Sequence, residues 1–448
     1  MSSSEEVGGG GDDDNGGGGG TGGGPSSSRR RRGGGNGVWP EPFLEALASQ
    51  IAIDASRSIG RLAAAQALSS LFQVCSTWRA VSRSDLLWQN LTLQIWNRRH
   101  LLRQTWHDEY IYWHQTCNNF RQRTYMYHTL HFVPANNDNN NNDGLSCRRL
   151  ALADHHLAAG FSDGSVQLFH LQTRVHLSTF HPQLRDRLGR YSRAVSGIIL
   201  FDESVVFASL DGDIHVAVIG GATPPRRAHL GDVVNDGALV DFTGCDQWWV
   251  GLYAGVPGRA FHIWNSETEE LIFVGGDLTD PEAVMGWHLL TELTEFVGRI
   301  RITTQDMAVS CTGLRLVVIN LRNQGLIIQE RSFQQVLIVG SFDATNKLLV
   351  TVDSQGVATV RRVEDLEEVC RFNVRGASQR GVVGCMNSSG YAVMYVGGVI
   401  RVWAVQNGVY LYSLRERIGE GNAILANERH IVACSSDGTI HLWDFGAQ

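Results

Sequence analysis

The chain has 448 residues, 43% of them hydrophobic and 19% charged, which is more than one average domain and enough apolar material for a sizeable core. Its formal net charge of -7 disfavours direct nucleic-acid binding, which needs a concentrated basic surface. No run approaches the roughly 18 apolar residues that span a bilayer, and the first residues are Ser, Glu, Gly and Asp, so the expectation is an intracellular chain without membrane contact. The eight cysteines contain no C-x-x-C pair, which predicts reduced thiols and no metal site.

Residues 1–38 are almost wholly Gly, Ser, Asp and Arg and cannot bury enough surface to offset the entropy of ordering, so they read as a disordered low-complexity tail. Within it Arg29, Arg30, Arg31 and Arg32 are either a solubilising charge run or a nuclear import signal. Residues 39–90 turn helical. Phe43, Leu44, Leu47 and Ile51 recur at helical spacing behind Pro40 and Pro42, which a first turn tolerates. A break is expected around Ser56 to Gly60, then a second helix with Leu68, Leu71, Phe72 and Cys75 on one face, and a third through Trp78 and Val81. Two or three more helices, rich in Trp and Tyr, form a linker over residues 91–124.

From residue 125 to 448 the period alternates as in strands, apart from an Asn-rich loop at 136–143. Seven segments share an apolar strand, a tight turn often built on Asp-Gly, and a second apolar strand, as in LAAGFSDGSVQLF and VACSSDGTIHLW. Their equivalent positions are Phe169, Ala217, Trp264, Ile319, Arg361, Trp403 and Trp443, spaced by 48, 47, 55, 42, 42 and 40 residues. That period predicts a seven-bladed WD-type β-propeller of four strands per blade, and hence an α+β multidomain chain. The seventh blade lacks an outer strand at its C-terminal end, and 125–133 (YMYHTLHFV) alternates without a partner. It is expected to pair with residues 439–445 and close the ring.

The residues Trp39-Pro40, Phe43-Leu44, Leu47, Leu71-Phe72, Val74-Cys75, Trp78-Arg79 and Leu86-Leu87-Trp88 resemble an F-box, with a closer match in the second half. An apolar helix face alone also reads as the core of a plain three-helix bundle. The resemblance implies docking on a Skp-type adaptor through Pro40, Phe43, Leu44, Leu47, Leu71, Val74, Trp78, Leu87 and Trp88, within a cullin-based ubiquitin ligase. The order of helical module, aromatic linker (WHDEYIYWHQTCNNFRQRT) and propeller resembles the F-box/WD-repeat substrate receptors. Segments such as AGVPGRAFHIW and LTDPEAVMGWH are similar to plant members of that class, which implies a nuclear regulator of flower and organ development.

Little in the sequence points to catalysis. His155 and His156 are adjacent and would face opposite sides of a strand, Asp108 and Glu109 read as a solvated helix face, and the Asp of each Asp-Gly is a turn residue first. The chain is therefore expected to be a non-catalytic adaptor without cofactor. Its loops after each outer strand suggest the binding surface: Arg185, Arg187, Arg190 and Arg193 in the first, Arg375 and Arg380 in the fifth, Arg415 and Arg417 in the sixth, against Asp277, Asp280 and Glu282 in the third. Mixed charge on one rim suits a charged segment of a partner protein. The leading expectation is the substrate-recognition subunit of an SCF-type ligase that binds a nuclear regulatory protein, acting in the nucleus and also in the cytoplasm. The alternative is a transcriptional co-regulator or scaffold without ligase function.

Overall fold

The structure, a computed structural model, describes residues 40–131, 145–183, 188–189, 191–278, 297–374 and 381–446. The N-terminal tail and the Asn-rich loop lie outside the described residues.

Five helices lead the chain: α1 Glu41–Ser58, α2 Arg61–Phe72, α3 Ser76–Val81, α4 Asp85–Trp96 and α5 Trp106–Gln122. Helix α1 buries Leu44, Ala48 and Ala52 at intervals of one turn. It runs through Ser56, because the break comes later, at Gly60, whose φ of 125° no side-chain-bearing residue adopts easily. Cys75 does not extend the second helix; it holds the N-cap position of α3. Two further helices follow. Ser84 caps α4 by accepting from the Leu87 amide at 3.4 Å, and Thr105 caps α5 by accepting from the Asp108 amide at 3.1 Å.

Glu109 departs from its expected solvated face. It is fully buried, and its carboxylate accepts from the amides of Leu102 (3.1 Å) and Arg103 (3.0 Å) and from the Trp113 indole (2.8 Å). These three donors compensate its loss of water and fix the connection between α4 and α5.

The remaining described chain forms seven four-stranded antiparallel sheets, the blades of a propeller. Six are contiguous, spanning 147–180, 195–229, 238–275, 298–332, 343–373 and 383–413. The seventh combines Gly421–Ala426, His430–Ser435 and Thr439–Asp444 with Met126–His131, which takes the outer position in register Met126↔Asp444 to His131↔Thr439. The aligned sequence positions are structurally equivalent in all seven blades: each lies in the third strand opposite the second, as in Leu157↔Phe169, Trp249↔Trp264 and Ile431↔Trp443. All seven are buried. Even Arg361 conforms, with its guanidinium donating to the Leu366 carbonyl at 3.2 Å and its cation 5.5 Å from the Phe333 ring centre. Trp249 is core and Trp248 half-buried, as opposite strand faces require.

Three buried imidazoles carry a pH dependence. Burial pushes His215, His262 and His430 down to about 4. His262 lies 3.8 Å from Asp236 and His430 3.6 Å from Asp444, yet at neutral pH both rings are uncharged and neither contact is an ion pair. With folded values below the unfolded one, their stabilising contribution is complete above about pH 6.5 and is lost as pH falls towards 4.

Two measurements test this architecture. Leu130, buried in the closing strand opposite Ile440, should lose about 2–4 kcal/mol of stability as Leu130→Ala, read by guanidinium unfolding; a loss below about 0.5 kcal/mol would show that the strand does not seal the ring. The melting temperature should fall between pH 6.5 and 4, and His215→Gln should flatten that slope; an unaltered slope would place the pH dependence elsewhere.

Candidate functional site

The antiparallel order of every blade fixes what each loop can reach. Turns between first and second strands lie at one end of the propeller, and turns between second and third strands, with the connections between blades, lie at the other. The helical module docks on the first end. Phe120 of α5 stacks on Tyr391 (4.8 Å between centroids) and packs on Phe445 (4.4 Å). The Tyr412 hydroxyl donates to the Phe120 carbonyl, and the Asn119 amide donates to the Phe445 carbonyl at 3.1 Å. Arg61 pairs with Glu428, and Arg98 bridges Glu428 (3.2 Å) and Asp154 (2.7 Å) while lying 3.8 Å from the Trp113 ring centre. Asp154 and Glu428 sit in first-to-second-strand turns of the first and seventh blades. The inter-blade rim therefore faces away from the helices.

On the helical module, the residues expected to dock on an adaptor separate into two groups. Leu44 (3% exposed), Leu87 (1%) and Trp88 (7%) are core, and the Trp88 indole donates to the Ser82 carbonyl at 2.7 Å. Leu71 and Trp78 are half-buried, and Pro40 is exposed. Phe43 (46%), Leu47 (38%) and Val74 (68%) present large apolar side chains to solvent. Sequence reasoning passed over Leu86 as a contact residue, though it is 69% exposed and adjoins the buried Leu87 and Trp88; the available signal was its place in the Leu86-Leu87-Trp88 motif. A cleft of about 360 Å³ opens between α2 and α5, lined by Leu68, Phe72, Trp88, His107, Tyr110 and Ile111 among others.

On the rim, Arg185, Arg187, Arg190, Arg375 and Arg380, together with Asp280 and Glu282, lie outside the described residues. Arg193 is half-buried, and its carbonyl crowds the turn at Gly164, where a Cβ would approach to 2.6 Å. Arg415 and Arg417 are exposed on either side of Glu416, whose carboxylate accepts from the Tyr125 hydroxyl (2.9 Å) and the Trp443 indole (2.8 Å). Asp277 accepts from the Gly258 amide and offers its carbonyl to Arg315 of the fourth blade at 3.0 Å, so it is engaged by the propeller's own residues. The turn aspartates close their own loops: Asp163 accepts from the Ser165 amide (2.9 Å), Asp211 from the Asp213 amide (3.3 Å) and Asp437 from the Thr439 amide (2.9 Å). Among the described residues no group of three or more His, Cys, Asp or Glu is placed to hold a metal ion.

No protein-family model matches the chain. It is 58% identical over 417 residues to the transcriptional regulator STERILE APETALA of Arabidopsis thaliana, a match covering 92% of this chain and 93% of that protein. Among solved structures, the computationally designed protein Ika8 matches with 15% identity and a TM-score of 0.46, over 67% of this chain and 96% of the design. The WD40 β-propeller domain of Doa1 matches with 11% identity and a TM-score of 0.49, over 67% and 93% of the two chains.

The division between core and surface predicts contrasting variants. Leu44→Asp should unfold the helical module, with a loss of about 4 kcal/mol or more from a buried unpaired charge. Phe43→Asp should leave stability within about 0.5 kcal/mol. Equal losses by circular dichroism melting would refute the assignment of Phe43 to the exposed face of the module.

Proposed function

The chain belongs to the STERILE APETALA family, and from that premise we propose that it is a nuclear transcriptional regulator that acts by binding proteins, as the substrate-recognition subunit of an SCF-type ubiquitin ligase. One observation carries the reading: Phe43, Leu47 and Val74 remain exposed on a helical module whose neighbouring Leu44, Leu87 and Trp88 are consumed in its own core. Large apolar side chains left in water beside a complete core are the mark of a docking surface. Their placement within the F-box-like pattern gives the occupant, a Skp-type adaptor with its cullin complex. The rim on the far side of the propeller, with Arg193, Arg415 and Arg417 among its described cations, is the surface for the nuclear regulatory protein. In this reading the chain is not catalytic, and ubiquitin transfer belongs to the partners. The plant relative also suits regulation of flower and organ development.

A second reading, a transcriptional co-regulator or scaffold without ligase function, is favoured by the relative's name alone, which specifies regulation of transcription and nothing of ubiquitin.

Affinity capture under proteasome inhibition distinguishes them. The wild-type chain should retain a Skp-type adaptor, and the triple variant Phe43→Asp, Leu47→Asp, Val74→Asp should retain at least tenfold less while keeping its circular dichroism spectrum. A folded wild-type chain that captures regulatory proteins and no adaptor would sink the first reading and leave the second.

A further inference from the structure

The cleft between α2 and α5 is used neither by the exposed residues Phe43, Leu47 and Val74 nor by the rim, and it has a chemical character of its own. Its volume of about 360 Å³ falls at the lower end of the roughly 300–1,000 Å³ typical of small-molecule pockets. One wall is aromatic. Trp88 packs against Phe72, Tyr110 and His107 at 6.2, 5.1 and 4.6 Å between ring centres, so its ring is fixed by three neighbours. Leu68 of α2 and Ile111 of α5 add aliphatic surface, the first buried and the second 37% exposed.

Most polar groups around the cleft already have partners. Gln73 donates to the Ser69 hydroxyl at 3.4 Å, the Ser82 hydroxyl donates to the Arg79 carbonyl at 2.7 Å, and the Ser82 carbonyl receives the Trp88 indole. His114 hydrogen-bonds to the Leu62 backbone, and burial lowers its pKa, so its ring is uncharged at neutral pH. Two groups are left over. The Tyr110 hydroxyl is buried without a hydrogen-bond partner, and burial raises its pKa, so it keeps its proton and remains a donor. The Arg79 guanidinium is exposed and enters no ion pair among the described residues. No Asp or Glu lines the cleft, so nothing there neutralises that positive charge.

We infer that the cleft between α2 and α5 binds a small, flat apolar acid, one or two rings bearing a carboxylate. Apolar rings match the surface of Phe72, Trp88 and Ile111, and docking there removes apolar area of both molecules from water. The carboxylate answers the unpaired charge of Arg79, whose planar fork fits two oxygens at once. A cationic ligand is disfavoured by the same arginine. The Tyr110 hydroxyl offers its proton to a further acceptor on the ligand. A concave site of this size, walled by two helices and a locked aromatic cluster, suits a compact molecule rather than a helix or strand of a partner. Binding here is independent of whether the module also carries an adaptor.

Isothermal titration of the full chain with naphthoic acid tests this, with naphthalenemethanol as a neutral analogue of the same shape. The acid should bind at a single site, and the alcohol about tenfold more weakly or worse. Arg79→Gln should weaken the acid by about tenfold, the loss expected for one hydrogen bond to a charged group, and leave the alcohol unmoved. Ile111→Trp, at a partly exposed position, should fill the cleft and abolish binding of both, with a melting temperature within about 2 °C of wild type. Absence of binding at millimolar acid would overturn the proposal and leave the cleft to an apolar side chain of a partner protein. Equal affinity for acid and alcohol would overturn the acidic class of ligand. Acid binding left unaltered by Arg79→Gln or by Ile111→Trp would place the ligand elsewhere on the chain and overturn the site.

Discussion

Pairing between Met126–His131 and Thr439–Asp444 is the constraint on which the rest of this structure hangs. A ring of sheets has no beginning, but a chain does, and the two ends must be joined by hydrogen bonds rather than by peptide. Side chains reinforce the backbone ladder at that seam: Tyr127 lies against Trp443, and its hydroxyl meets His441 Nδ1 at 2.7 Å. The seam also covers the edge of Thr439–Asp444 and completes the seventh blade to four strands like the other six.

The same segment anchors the helices. Helix α5 ends at Gln122, a few residues before the closing strand, so ring and stalk are fixed by one short stretch of chain. The core of the helical module runs without interruption into the contact between the sixth and seventh blades, through Phe120, Tyr391, Tyr412 and Phe445. Arg61, Arg98 and Glu428 add partly buried pairs around that contact. Helices and rim are therefore held at opposite ends of one packed body. A partner on the helices and a partner on the rim would be kept at a set separation and orientation.

Much of the fold was legible because its signals are local. Asp-Gly turns and a recurring buried position in each third strand repeat at one period, and the count of seven survives Ala217 and Arg361 at that position, because the flanking strands keep their alternation. The candidate site was less legible. Phe43 and Leu44 are neighbours of the same chemical kind, and only the packing of α1 on its neighbours makes one surface and the other core. Glu109 looked solvated because its three donors come from a loop and from a later turn of α5, which no spacing rule reports. Arg149, Arg299 and Arg301, on the first strands of the first and fourth blades, were invisible for a related reason. Their partners are carbonyls and carboxylates from strands many tens of residues away, brought together by ring closure alone.

Ring closure has a consequence for how the protein is made. The closing strand is synthesised some three hundred residues before its partner. At a translation rate of roughly 5–20 residues per second, that strand waits on the order of 15–60 s with an open edge. Four of its six side chains, Tyr127, His128, Thr129 and His131, are polar or only partly apolar, and a histidine stands at each side of Thr129-Leu130. A strand so composed is poorly suited to pairing with the wrong partner while it waits. The helical module ahead of it can form meanwhile, so the order of synthesis sets the stalk first and the seam last.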